Sequence, residues 1–158
     1  MKRPAIIVDM DGTLSDCTHR RHFVEGKRQN YDAFYRRCGD DPLHEHIALI
    51  VRRMAWDHAV LITTGRPAKY AGVTAVWLGQ NDVPFDHILT RADGDYRADD
   101  GVKEEILDRD ILPSYRVVFA LDDRDQVVRL WRRRGIPCLQ VAPGVNIFPA
   151  LKDGDFQK

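Results

Sequence analysis

Two aspartates one residue apart, Asp9 and Asp11, follow the apolar run Ala5-Ile6-Ile7-Val8 and precede Gly12-Thr13. In extended backbone, positions i and i+2 point the same way, so the two carboxylates are expected on one face. Near neutral pH such a pair repels unless a cation or a shared proton holds it. A hard divalent cation, most often Mg²⁺, suits carboxylate oxygens. A carboxylate can also attack phosphorus and divide a hydrolysis into two steps. Three further strings offer complementary groups. Thr64-Gly65-Arg66 presents a hydroxyl, backbone N–H groups and a guanidinium, all suited to phosphate oxygens. Lys103 supplies a fixed positive charge, and Asp122-Asp123 a second acidic pair. Singly, each has a plainer explanation: a turn, a solvated lysine, a helix cap. Their order along the chain gives them weight together.

The elements that must position these groups alternate between strand and helix. Residues 5–8 read as a strand buried on both faces, ending at the aspartates. Residues 59–63 read as a second buried strand, ending at Thr64. Residues 84–89, 116–121 and 136–141 follow as further strands, with Pro137 marking an edge position or a strand start. Asp41-Pro42 is expected to cap and open a helix carrying Leu43, Ile47, Ile50, Val51 and Met54 on its inner face. Pro67 is expected to start the next, with Tyr70, Val73, Val76 and Trp77 inward and Gly79 as its stop. Helices are expected over residues 101–110 and 124–134, the latter burying Val127, Val128, Leu130 and Trp131 and stopping at Gly135. Between the first strand and first helix, residues 15–41 interleave Arg20, Arg21, Lys27, Arg28, Arg36 and Arg37 with Phe23, Tyr31, Phe34 and Tyr35. This poorly periodic stretch reads as a small cover over the strand ends. Such βα alternation implies an α/β fold with a parallel sheet of about five strands and right-handed crossovers. Asp9 and Asp11, Thr64, and Asp122 and Asp123 then converge at the carboxyl ends of three strands, where open α/β sheets bind ligands.

Length and composition narrow the class. A chain of 158 residues, 44% hydrophobic and 30% charged, is expected to form one globular domain, with residues 145–158 as a tail. Formal net charge is zero, so the whole chain is not an electrostatic binder of polyanions and any such grip is local. Cys17, Cys38 and Cys138 form no C-x-x-C pair and suggest a reducing compartment. No apolar run is long enough to span a membrane and no signal-peptide pattern is present, so a cytoplasmic location is expected.

The string apolar strand, Asp-x-Asp-Gly-Thr, then a strand-end Thr, a helical Lys and a strand-end Asp-Asp resembles the four-motif pattern of the haloacid dehalogenase (HAD) superfamily of phosphotransferases. The resemblance implies a three-layer, Rossmann-like core and phosphoryl transfer through an aspartyl-phosphate. Asp9 would be the nucleophile. Asp11 would protonate the leaving oxygen and then activate water, with a pKa raised by repulsion from its neighbour. Mg²⁺ would be held by Asp9, the backbone carbonyl of Asp11, and Asp122 and Asp123, with Asp123 the direct ligand of that pair and Asp122 supporting. Thr64 would bind phosphate oxygens, and Lys103 would hold Asp9 ionised.

Longer segments narrow the resemblance. Arg97-Ala98-Asp99-Asp100-Gly101-Val102-Lys103-Glu104-Glu105-Ile106, residues 121–133 and residues 136–142 are similar to the 3′-phosphatase domain of phage polynucleotide kinase-phosphatase. The similarity covers residues 5–144. It implies a 3′-phosphorylated nucleic-acid end as substrate, and a substrate-binding set of Arg20, Gly65, Arg66, Arg97 and Asp99. A separate kinase or ligase would be a natural partner. No G-x-x-x-x-G-K-[ST] stretch is present, so 5′-kinase activity is not expected; the chain is either a stand-alone phosphatase or a fragment of a bifunctional enzyme. Arg132, Arg133 and Arg134 end a helix and read as structural. Two other functional readings remain open at this point. One is a HAD phosphatase acting on a nucleotide or sugar phosphate, and the other is a non-catalytic module that binds phosphorylated ends.

Overall fold

The fold is taken from a computed structural model in which residues 1–143 are described; the expected tail, 145–158, lies outside the described residues. Five strands, β1 (Arg3–Val8), β2 (Ala59–Pro67), β3 (His87–Arg91), β4 (Tyr115–Asp122) and β5 (Cys138–Gln140), form one sheet. Its order is β3-β2-β1-β4-β5, and every pairing is parallel. The chain leaves β1 toward β2 and β3 on one side, then crosses back to β4 and β5 on the other. The carboxyl end of β1 is therefore the topological switch point, where neighbouring connections diverge and leave a crevice. Val8 pairs with Leu121, which sets the aspartates after β1 beside those ending β4.

Both faces of the sheet are covered, so the apolar strands need no polar alternation. Ala5, Ile7, Ala59 and Leu61 pack on one side against Val102 and Ile106 of α4 (Asp99–Ile106) and Val127, Leu130 and Trp131 of α5 (Asp125–Arg133). Ile6, Val8, Val60 and Ile62 pack on the other against Ile47 and Val51 of α2 (Glu45–Met54) and Trp77 and Leu78 of α3 (Ala71–Gln80). Each buried Val, Leu or Ile side chain among them contributes roughly 1.5–3 kcal/mol. The result is the expected three-layer α/β architecture. The Thr18–Phe23 turn, the short helix α1 (Tyr31–Arg36) and the Cys38–Asp40 turn form the expected cover, with their own small cluster of Cys17, Val24 and Phe34. Among the described residues no helix is long and apolar enough to cross a membrane.

Several boundaries differ from the sequence expectations. β2 runs through Arg66 to Pro67, so α3 begins at Ala71 and presents Thr74, Trp77 and Leu78 inward. Val73 and Val76 are exposed instead, because apolar residues surround this helix and their spacing alone does not choose a face. Gly79 lies within α3 rather than ending it. β3 starts three residues after Pro84, and α4 starts two residues before Gly101 and passes into a π-turn over Leu107–Ile111. Helix α5 buries Val127, Val128, Leu130 and Trp131 as expected, and Gly135 follows it with φ +74°. β5 is an edge strand, and Pro137 immediately precedes it. Asp41 does not cap α2: the helix starts at Glu45 with His44 as its cap residue. The Asp41 carboxylate is drawn elsewhere, by two buried arginines.

Candidate active site

The backbone N–H of Asp9 donates to the carbonyl of Leu121 at 3.0 Å, locking the end of β1 to the end of β4. Asp9, Asp122 and Asp123 are all buried, and each offers one carboxylate oxygen within 4.8 Å of the others. Lys103, from α4, lies under them with 1% of its side chain exposed. Its Nζ donates to Asp9 Oδ1 at 2.7 Å and to Asp122 Oδ2 at 3.1 Å, and sits 3.5 Å from Asp99. Asp122 also accepts from Trp131 Nε1 at 3.3 Å and from the Arg124 backbone N–H at 3.2 Å. Asp123 accepts from the Thr13 hydroxyl at 3.3 Å. Gly12 has φ +87°, and a Cβ there would lie 2.5 Å from Asp123 Oδ2, so the Gly of the first motif is needed for this approach.

Burial raises the Asp9 pKa well above the ordinary carboxylate range; Lys103 opposes this, while Asp122 and Asp123 add to it. Asp123 is pushed up to about 6 by burial and by Asp122. Burial works against the Lys103 charge, but Asp122, Asp9 and Asp99 outweigh it and raise its pKa. Three buried, mutually repelling carboxylates with hard oxygen donors match what a divalent cation requires. The group fits a metal on its own chemistry.

Asp11 does not join that trio. Its carboxylate accepts from Arg66 Nε at 3.1 and 3.2 Å, from Arg66 NH2 at 2.5 Å, and from Arg20 NH2. Burial pushes its pKa up, but Arg66 and Arg20 outweigh burial and hold it well below the ordinary range. The expected elevation by repulsion from Asp9 is thus corrected: the two guanidiniums dominate. With β1 ending at Val8, the two carboxylates also no longer share an extended segment.

A cavity of about 550 Å³ opens over this ground, lined by Asp9, Asp11, Asp99, Asp122, Asp123 and Arg124 among others. A model of the polynucleotide kinase PNKP phosphatase domain, of HAD type, matches residues 3–145. The chain belongs to that family.

The PNKP phosphatase family assignment is accompanied by likeness to solved structures. A chain in the Pnkp1/Rnl/Hen1 complex is 33% identical, with a TM-score of 0.79 over 90% of this chain and 47% of that one. A chain in a structure of the Pnkp1/Rnl/Hen1 RNA repair complex is 32% identical, with a TM-score of 0.79 over 92% and 44%. This chain thus spans about half the length of each. A class C acid phosphatase from Bacillus anthracis with tungstate bound, at 12% identity and a TM-score of 0.63 over 90% of this chain and 69% of that one, shares the fold. The protein is accordingly a HAD phosphatase, a hydrolase of phosphomonoesters.

The remaining family positions are placed unevenly. Thr64 and Lys103 are buried and do not line the cavity. The Thr64 hydroxyl accepts from the Arg66 backbone N–H at 3.2 Å. Gly65 does line it, and a Cβ on Gly65 would meet Asp99 Oδ1 at 2.3 Å. Its carbonyl accepts from Tyr35 Oη at 3.2 Å, which ties the cover to the end of β2. Arg20 and Arg66, expected to hold substrate, are fully buried and engaged by Asp11 and Asp41 rather than turned to the cavity. Arg97 is exposed on the cavity lining and paired with Asp95 and Glu105, both at 2.7 Å. Asp99 sits 3.3 Å from Arg91, 3.5 Å from Lys103 and 3.7 Å from Arg124. Burial pushes the Asp99 pKa up, but these cations prevail and lower it.

Three residues of this constellation were not legible beforehand. Asp41 accepts from Arg20 Nε at 2.7 Å, Arg20 NH2 at 2.6 Å, Arg66 NH2 at 3.2 Å, Ser15 Oγ at 3.0 Å and pairs with His19 at 2.8 Å. Its Asp-Pro context gave the opposite signal. Arg91 donates from Nε to the Gly65 carbonyl at 2.8 Å, and no local pattern marks it. Arg124 follows the acidic pair directly, and that adjacency was the available clue.

Proposed function

We propose that this phosphatase removes the terminal 3′-phosphate from DNA or RNA in a Mg²⁺-dependent reaction through an aspartyl-phosphate on Asp9. The observation that carries the reading is the bond from buried Lys103 to Asp9 Oδ1 at 2.7 Å inside the carboxylate trio. It supports a role for Asp9 as an oriented, charge-supported nucleophile. Among the described residues no donor bonds Asp9 Oδ2, so that oxygen is available for attack on phosphorus. The P–O3′ bond breaks and the 3′-oxygen leaves with a proton. Asp11 handles that proton. To donate it, Asp11 must first be protonated, which the negative charge of an arriving phosphate favours. Returned to the anion that Arg20 and Arg66 stabilise, it then takes a proton from the water that cleaves the acyl phosphate. Asp9, Asp122, Asp123 and the backbone carbonyl of Asp11 would hold Mg²⁺, which when bound keeps the carboxylates ionised and offsets charge on the transferring phosphoryl group. Gly65 would present the end of β2 to the phosphate, with Thr64 and Arg66 buried behind it as support, and Arg97 and Asp99 would belong to the substrate-binding wall.

Family membership supports a polynucleotide end as substrate, as do the aromatic and cationic residues Tyr35, Tyr70, Lys69 and Arg124 lining the cavity. We place the enzyme beside a kinase and a ligase in end repair, by analogy with the complexes its structural relatives are named for. Three unpaired cysteines, all buried, support a reducing, cytoplasmic setting. We treat residues 1–158 as one phosphatase domain.

A second reading, hydrolysis of a small phosphate ester, is favoured by the acidic residues Asp32, Asp93 and Asp95 on the same lining. Phosphate release from a 3′-phosphorylated oligonucleotide, compared with nucleoside 3′- and 5′-monophosphates with Mg²⁺ and with chelator, separates the two. Preference for the oligonucleotide and loss with chelator are expected. Asp9→Asn should lower release by at least about a thousandfold, the scale on which removing a nucleophile acts; undiminished turnover would remove Asp9 from the mechanism.

A further inference from the structure

Tyr96 has 92% of its surface exposed, yet it lines the cavity that contains Asp9. Among the described residues it makes no hydrogen bond and no ring contact. A bare aromatic ring on a slack loop would mean little, but this loop is fastened on both sides of the ring. The Arg91 NH1 nitrogen donates to the carbonyl of Asp95 at 2.9 Å and to that of Arg97 at 2.8 Å, the residues immediately flanking Tyr96. The Arg97 backbone N–H and Nε each donate to Asp95 Oδ1 at 3.0 Å, closing a tight turn that spans Tyr96. Through Nε, Arg91 also holds the Gly65 carbonyl at 2.8 Å, so the loop is braced against the carboxyl end of β2. A loop whose backbone is already fixed loses little conformational entropy on binding, and aromatic rings stack on bases with little regard to sequence.

We propose that Tyr96 is a nucleobase-stacking subsite, taking an unpaired base near the 3′ end of the strand whose phosphate reaches Asp9. This deepens the polynucleotide reading and rests on it. The braced loop sets the spacing between the base and the phosphate, so the strand enters single-stranded at its terminus. Tyr96 then acts on KM for strands that carry bases and leaves the chemistry of the bound phosphate alone.

The test compares wild type, Tyr96→Ala and Tyr96→Phe on a short 3′-phosphorylated oligodeoxythymidylate, the same strand with abasic spacers at its last two positions, and p-nitrophenyl phosphate. Tyr96→Ala should raise KM for the oligodeoxythymidylate by roughly five- to a hundredfold, the loss of one base–aromatic stack, with kcat little changed. Tyr96→Phe should match wild type. On the abasic strand and on p-nitrophenyl phosphate, all three proteins should agree. If wild type prefers the oligonucleotide and Tyr96→Ala does not raise its KM, the subsite is overturned while the function stands. Equal losses on every substrate would mark a structural role and overturn it too. If wild type treats the oligonucleotide no better than p-nitrophenyl phosphate, the polynucleotide reading falls and the subsite with it.

Discussion

At the scale of single residues, charge decides the site more than spacing does. Asp9 and Asp11 are chemically identical and two positions apart, but their environments push them in opposite directions: burial beside two carboxylates raises one, and two guanidiniums lower the other. In the cation-free chain this order is the reverse of what attack by Asp9 and proton donation by Asp11 require, so a bound cation must lower the first and an arriving phosphate must raise the second. Asp41 stands behind this separation. With no exposed side-chain surface, it compensates two arginines that are themselves fully buried. Removing one partner of such a network leaves uncompensated charge in the interior. Asp41→Ala is therefore expected to destabilise the fold by about 3–5 kcal/mol in urea titration. A change under about 1 kcal/mol, the range of a surface pair, would mean the arginines find other partners.

At the scale of elements, the carboxyl end of β2 shows how closely backbone and side chain are fitted. Gly65 touches Asp99 so nearly that an added methyl would sit 2.3 Å from its Oδ1. Asp99 begins α4, which also carries Lys103 one turn later. A larger residue at 65 must move either the end of β2 or the start of that helix. Gly65→Ala is expected to lower kcat/KM roughly a hundredfold, the cost of an ångström-scale misplacement, while circular dichroism stays native. Unchanged kcat/KM would show the strand end free to shift without consequence. The cover acts at this scale too: Tyr35 reaches from α1 to the Gly65 carbonyl at 3.2 Å, so one short helix is pinned to the strand end it shelters.

At the scale of the whole molecule, the sheet order brings acidic groups together at a cost that a bound cation would relieve. Without one, the Asp123 carboxyl titrates at about 6 in the folded chain, against 3.8 ordinarily. Between those values the folded chain keeps a proton that the unfolded chain has lost. This group's contribution to stability is thus full below 3.8 and lost as pH rises through 6. Asp9 moves in the same direction. Mg²⁺ bound to the trio should offset the loss, and a ligand at a hundred times its Kd stabilises by about 2.7 kcal/mol. The rise in Tm on adding Mg²⁺ should therefore be larger at pH 7.5 than at pH 5, and chelator should reverse it. Equal rises at both pH values would place the cation elsewhere.

The amino-acid sequence alone determined the five strands, the parallel sheet and the meeting of the first and last motifs. Those follow from apolar runs ending in polar groups and from the rule that places such ends together in an α/β sheet. Val127, Val128, Leu130 and Trp131 were legible as a buried face because helical periodicity is a local property. What only the tertiary structure decided were the charge states and partners of the carboxylates. By its Asp-Pro context Asp41 reads as a helix cap, and by its spacing Asp11 reads as a carboxyl raised by its neighbour. The fold overrides both local signals, because Arg20 and Arg66 approach through space, from the cover and from the end of β2. Tyr96 and Arg91 follow the same rule, since nothing beside them in the chain marks a braced loop. Local preferences are written in neighbouring residues, whereas electrostatic energy depends on distance, and distances between remote segments exist only once the chain is folded.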